Sequence, residues 1–106
     1  MAYTYCITFR IADKAVRGAT YAQRRQKLID NAREENLGYW EETTSFILAE
    51  SALSTPQFAA RVCAGLSEAD DMVVVFDPSD MSASYFGVLQ HADVLRSFFP
   101  GLKKLR

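Results

Sequence analysis

The chain holds one histidine and two cysteines. A three-histidine metal centre or a histidine relay is therefore excluded within a single copy. Cys6 and Cys63 stand far apart, show no C-x-x-C spacing and have no histidine near them in sequence. That pattern favours two buried thiols over a redox motif or a nucleophile, with a disulfide as the alternative. No phosphate-binding loop, dinucleotide fingerprint or nucleophile elbow occurs. No apolar run approaches the roughly 18 residues of a membrane span. Met1-Ala2-Tyr3-Thr4-Tyr5 lacks the basic and long apolar regions of a signal peptide, so a cytoplasmic location and no membrane partner are expected. A net charge of −1 speaks against a globally basic nucleic-acid binder. With 106 residues there is room for one domain and one core.

What charge there is falls unevenly. Basic side chains crowd into residues 1–36 and again into the tail at Arg96, Lys103, Lys104 and Arg106, while the middle is acidic. The ends and the middle could pair across a dimer, or simply form a solvated surface.

Alternation marks the strands. Tyr3, Tyr5, Ile7, Phe9 and Ile11 share one face of a first strand, with Thr4, Cys6, Thr8 and Arg10 on the other. The stretch Leu37–Ser51 is the longest period-two reading and is expected at the centre of a small mixed sheet. Asp71-Met72-Val73-Val74-Val75-Phe76-Asp77 is a β-branched run entered from Asp70-Asp71, apolar on both faces and hence expected to be covered twice. Ser82–Leu89 reads as an edge strand.

Helical segments lie between them. Thr20 with Gln23 predicts a capping box, followed by an inward stripe of Ala22, Leu28, Ile29 and Ala32, with Arg24, Lys27, Asp30, Arg33, Glu34 and Glu35 on the wet side. Ser54-Thr55-Pro56-Gln57 predicts a second start, with Phe58, Ala59, Val62, Cys63 and Leu66 inward. Ala92–Phe99 predicts a short C-terminal helix ending before Pro100-Gly101, and the basic residues 101–106 a loose tail to a domain of residues 1–100. The fold class expected is α+β: a ferredoxin-like sandwich, or split βαβ, with an antiparallel-rich sheet and helices on one face. Counted strictly, the order is β-α-β-α-β-β. It becomes the standard order if a turn, most simply at Glu41-Glu42, divides Leu37–Ser51 into two strands.

Three features together resemble a known family. They are the first strand running into Arg10-Ile11-Ala12-Asp13-Lys14, the stretch Gly38-Tyr39-Trp40 through Thr44-Ser45-Phe46-Ile47-Leu48, and Asp70-Asp71 entering the valine strand. The pattern resembles the SinR-like proteins and, more distantly, the small CRISPR-associated adaptation nucleases and VapD-type toxins, over about residues 3–88. The resemblance implies ferredoxin-like protomers that dimerise through their sheets, and a metal-dependent nuclease whose aspartate at the end of the first strand gathers a divalent ion. The matching position here is Arg10, which cannot ligate Mg²⁺. Asp13, three residues on, is the substitute.

Three functions follow as expectations. The first is a non-catalytic homodimer that binds nucleic acid or a protein partner and needs no cofactor. Arg10, Arg24, Arg25 and Lys27 would touch phosphates, and Tyr85, Phe86, Val94, Phe98 and Phe99 would form the dimer interface. The second is a Mg²⁺-dependent endoribonuclease or deoxyribonuclease with Asp13 catalytic and Asp13, Asp77 and Asp80 as metal ligands. The third is a small-molecule enzyme with a pocket using Tyr39, Trp40 or His91. Two smaller readings stay open. His91-Ala92-Asp93 is either a ligand pair or a helix start. Tyr3, Tyr5 and Phe9 either stack bases on an open face or fill the core.

Overall fold

The structure is a computed structural model that describes residues 2–105. Strand β1 is Tyr3–Arg10, helix α1 Tyr21–Ala32, β2 Tyr39–Trp40, β3 Phe46–Ser51, α2 Thr55–Val62, β4 Met72–Asp77, β5 Ser82–Gly87, α3 Ala92–Phe98 and β6 Lys103–Lys104. The fold is α+β, with three helices and a six-stranded mixed sheet of order β2-β3-β1-β4-β5-β6. Every pairing is antiparallel except β5 with β6.

Both long connections begin with caps. Thr20 Oγ1 accepts from the Gln23 amide at 3.1 Å while Gln23 Oε1 accepts from the Thr20 amide at 2.9 Å. Ser54 and Gln57 make the same reciprocal pair at α2. Each box satisfies two amides that a helix start would otherwise leave open.

The core lies on one face of the sheet. Tyr5, Ile7 and Phe9 of β1, Ile47 and Ala49 of β3, Val73 and Val75 of β4 and Phe86 of β5 meet Leu28, Ile29 and Ala32 of α1 and Phe58, Ala59 and Val62 of α2. Tyr5 stacks on Phe58 with ring centroids 4.6 Å apart. Tyr5 and Phe9 are thus core residues, unavailable for stacking bases, while Tyr3 stays half-exposed.

The opposite face is covered only at one end. There Phe99 and Leu102 bury Ala83, with Phe76, Tyr85 and Leu95 packed around them. The C-terminal segment, and α3 with it, therefore lies over β4 and β5 and explains why the valine strand is apolar on both sides.

Four expectations need correction. Leu37–Ser51 is not the centre of the sheet. It breaks after Trp40 and resumes at Phe46, β2 is an edge, and the centre is β1 with β4. Ala22 is exposed, and Arg24 takes the inward position instead. The tail is not loose, because Leu102 is buried, the Leu105 amide donates to the Tyr85 carbonyl at 2.7 Å, and Lys103–Lys104 pair beside β5. Residues 101–105 consequently belong to the domain, and β5 is not an edge.

Candidate functional site

Two places bring chemistry-bearing side chains together, one at each end of the sheet. The first lies where β1 ends and β4 begins. Asp71 is fully buried there: Oδ1 accepts from the Ala12 amide at 2.9 Å, and Oδ2 accepts from the Ser67 amide at 2.8 Å and from Arg24 Nη2. Arg24 Nη1 donates in turn to the carbonyls of Ala12 at 2.9 Å and Lys14 at 3.1 Å. Both carboxylate oxygens and both terminal guanidinium nitrogens of this ion pair are engaged with protein partners. It is a tether between the β1–α1 loop and β4, not an open site.

Arg24 is therefore withdrawn from the expected phosphate-binding set, because its guanidinium is buried on Asp71. Asp71 is likewise more than an entry turn. Of the rest of that set, Arg25 is half-buried on Glu41 at 3.0 Å and stands over the Phe9 ring, whereas Arg10 and Lys27 are exposed. Lys14 pairs with Asp70 at 2.7 Å, and that bond, with one from Ser67, holds the Asp70 carboxyl below its usual range.

The second place is a cleft of about 280 Å³ at the other end of β1. Its walls are Tyr3 and Tyr5 of β1, the start of α2, the β4–β5 turn with the first residues of β5, and Gly101 and Lys103 of the C-terminal segment. Asp77, 3% exposed, closes β4 there. Its Oδ1 accepts from the amide and hydroxyl of Ser79 at 2.8 and 2.7 Å, an arrangement an Asp-Pro-Ser turn makes locally. Asp80 accepts from the amide and hydroxyl of Ser82 at 2.8 and 2.6 Å, and these bonds keep its carboxyl below the usual range. The Thr55 and Ser82 hydroxyls meet at 2.5 Å. Tyr5 donates to the Leu53 carbonyl at 2.6 Å. Burial raises the Tyr5 phenol, the Thr55 hydroxyl opposes that, and the Asp77 and Asp80 carboxylates add to it. Ser84 Oγ has no hydrogen-bond partner, although Ser84 is only 1% exposed.

Asp77 and Asp80 both line this cleft. Asp13 does not join them. It follows the far end of β1, so the length of that strand separates it from the pair. Among the described residues no group of three or more His, Cys, Asp or Glu side chains is placed to hold a metal ion.

The remaining candidates scatter. His91 precedes α3, exposed and making no side-chain cap bond. Tyr39 turns to the core side of β2, whereas Trp40 turns to the open face at 39% exposure, with its indole N–H on Glu42 at 2.9 Å. The shallow pocket that Tyr39 and Trp40 line with Thr4, Leu48 and Glu50 does not include His91. Cys6 and Cys63 are both free and buried. Of the expected dimer residues, Phe86 lies in the main core and Phe99 in the smaller cluster, each consumed within its own chain; Tyr85 is half-buried beside Phe99. Only Val94, at 53%, and Phe98, at 66%, present large apolar surface.

Sequence reasoning passed over Ser84 and the C-terminal wall of the cleft. A serine in an alternating Ser-Ala-Ser strand gives no sign of being an orphaned donor, and the wall depends on a tail that reads as loose. No protein-family model matches this chain, and neither a curated protein nor a solved structure matches it.

Proposed function

We propose that the protein is a non-catalytic homodimer of ferredoxin-like fold, akin to the SinR-like proteins, that acts by binding a partner. The order β-α-β-β-α-β over the first four strands, with α1 and α2 on one face, supports the fold reading. The observation that carries the functional reading is the open half of the sheet. Thr4, Cys6, Thr8 and Arg10 of β1 face the same way as Phe46, Leu48 and Glu50 of β3, and Trp40 of β2 joins Leu48.

A second copy of the chain fits this surface by charge. Arg10 stands at one end of β1, and Glu50, opposite Thr4, at the other. A two-fold axis perpendicular to β1 and lying between two facing sheets reverses the strand, so each Arg10 comes over the partner's acidic end. Apolar side chains in the middle and opposite charges at the two ends suit a self-complementary interface. Val94 and Phe98 on α3 add exposed apolar surface to the chain. Phe86 and Phe99 have no part in this interface.

Light scattering tests the reading. The wild type is expected to run at twice the chain mass, Leu48→Asp and Arg10→Glu as monomers, and Arg10→Glu with Glu50→Arg as a dimer again. A wild-type monomer at micromolar concentration would end it. With Mg²⁺ or Mn²⁺ present, no cleavage of RNA or DNA is expected; cleavage abolished by Asp13→Ala would favour the nuclease reading.

A further inference from the structure

We propose that the cleft at the end of β1 and β4 binds a small organic cation, a primary amine on a short chain. The cleft lies at the end of the helix-covered face, away from the open half of the sheet, so this inference stands or falls independently of the dimer.

Asp77 supplies the first reason. It is almost completely buried, both bonds to its carboxylate fall on Oδ1, and no described cation is paired with it. Oδ2 makes no hydrogen bond to a described residue, and a cation entering the cleft would supply it with a donor and a counter-charge. Asp80 at the exposed rim adds a second negative charge.

Ser84 supplies the second, independent reason. Ser84 lines the cleft from the helix-covered face of β5, the face of Phe86, and its hydroxyl is withheld from bulk water and has no protein partner. A buried hydroxyl left unpaired costs about 1–3 kcal/mol, and an ammonium donating to Ser84 Oγ beside Asp77 would satisfy it. The Thr55–Ser82 pair and the half-exposed Tyr3 ring complete a lining of oxygen acceptors and one aromatic face, which suits an ammonium.

An anion fits less well. The α2 N-terminus forms one wall, but the Ser54 and Gln57 amides are already bonded in the capping box and Pro56 has no amide hydrogen, which leaves a single amide there, that of Thr55, to meet an anion. Lys103 is the one cation among the lining residues, against two carboxylates, and it sits exposed on β6. A bare divalent ion, which takes six or more oxygen ligands, finds only two carboxylates. At about 280 Å³ the space is just below the range typical of drug-sized ligands and suits a small metabolite.

The test is an NMR titration of the intact protein with putrescine, with 1-butanol, acetate and Ca²⁺ as comparison probes. Putrescine is expected to saturate shifts of the amides at Tyr3, Asp80, Ser82 and Ser84 with a dissociation constant near or below about 1 mM. Asp77→Asn should weaken it at least tenfold. Because that change touches the Ser79 turn, Asp80→Asn and Lys103→Ala serve as surface variants: the first should weaken binding several-fold, and the second should tighten it by removing a like charge. No saturable shift, an equal response to 1-butanol, a response to Ca²⁺ at the same amides, or acetate binding lost in Lys103→Ala would each overturn the proposal.

Discussion

Arg24 and Asp71, 47 residues apart, form an ion pair that is almost wholly withheld from water. The pair joins α1 to the start of β4, and through the Ala12 and Lys14 carbonyls it also holds the loop that leaves β1. Removing one partner of such a pair leaves the other charge buried and unanswered, a loss of about 3–5 kcal/mol. Asp71→Ala is expected at the severe end, since the Ala12 and Ser67 amides lose their acceptor as well. Urea denaturation of Arg24→Met and Asp71→Ala checks this. Near-wild-type midpoints for both would show that the pair is not the tether described.

Asp71 also fixes what can follow β5. Its carbonyl accepts from the Val88 amide at 2.9 Å, and a Cβ at Gly87 would collide with that same carbonyl oxygen. Gly87 has φ +86°, so a side chain there meets both backbone strain and backbone atoms. Gly18 has a similar φ of +82° with nothing nearby. Gly18→Ala should therefore cost only the roughly 1–2 kcal/mol of the left-handed conformation, and Gly87→Ala distinctly more. Comparing the two urea midpoints isolates the steric part, and equal losses would refute it.

How much of this was readable in the chain depends on how local the physics is. The two capping boxes lie within four residues each and were legible in full. The break in Leu37–Ser51 was legible only as an alternative to one long central strand, with Glu41-Glu42 as its place, because period-two alternation runs on both sides of the two acids and does not itself show the interruption. Arg24 was misplaced because helical periodicity assigns a charge to the wet side by default. Only the distant Asp71, delivered by β4, makes an inward arginine tolerable. The C-terminal wall of the cleft was missed for a related reason: Leu102 and Leu105 are too few to signal a packed segment until the structure sets Leu102 against Ala83 and Leu105 against the main core on the other face. Asp77 and Asp80 could be suspected from the strand exit, but the hydroxyl environment around them could not.

The thiols report on the core at alkaline pH. Burial pushes the Cys63 thiol up to about 12, and Cys6 is raised too, by burial first and then by Asp77. In the unfolded chain a thiol ionises near pH 8.5. A raised folded value means the unfolded state loses its proton first, so this stabilising contribution is complete below about pH 8.5 and is lost as pH rises toward about 12. Stability measured by urea should fall over that window, and less steeply in Cys63→Ala after allowing for the lost packing. Native protein at pH 8 should resist a disulfide reagent at both cysteines until denaturant is added. Fast labelling of Cys63 in the native state would contradict its burial.

Phe98 and Phe99 are neighbours with opposite situations, and they separate the packing of the C-terminal segment from its surface. Phe99 is buried with Ala83 and Leu102, its ring centroid 5.0 Å from that of Phe76. Phe98 points away from this cluster into solvent. Phe99→Ala should cost about 3 kcal/mol, the low end for a buried phenylalanine, because the cluster is small. Phe98→Ala should stay within about 0.5 kcal/mol for the folded chain. Hydrogen exchange adds a local readout: in Phe99→Ala the Leu102 and Leu105 amides, bonded to the Phe99 and Tyr85 carbonyls, should lose protection before the β1 amides do. Since Gly101 and Lys103 form one wall of the cleft, the same substitution should also weaken putrescine binding. Phe98→Asp should leave both exchange and putrescine binding unchanged and lower only the assembled mass. If Phe98→Asp instead released the C-terminal segment, the separation between the buried and the presented ring would be wrong.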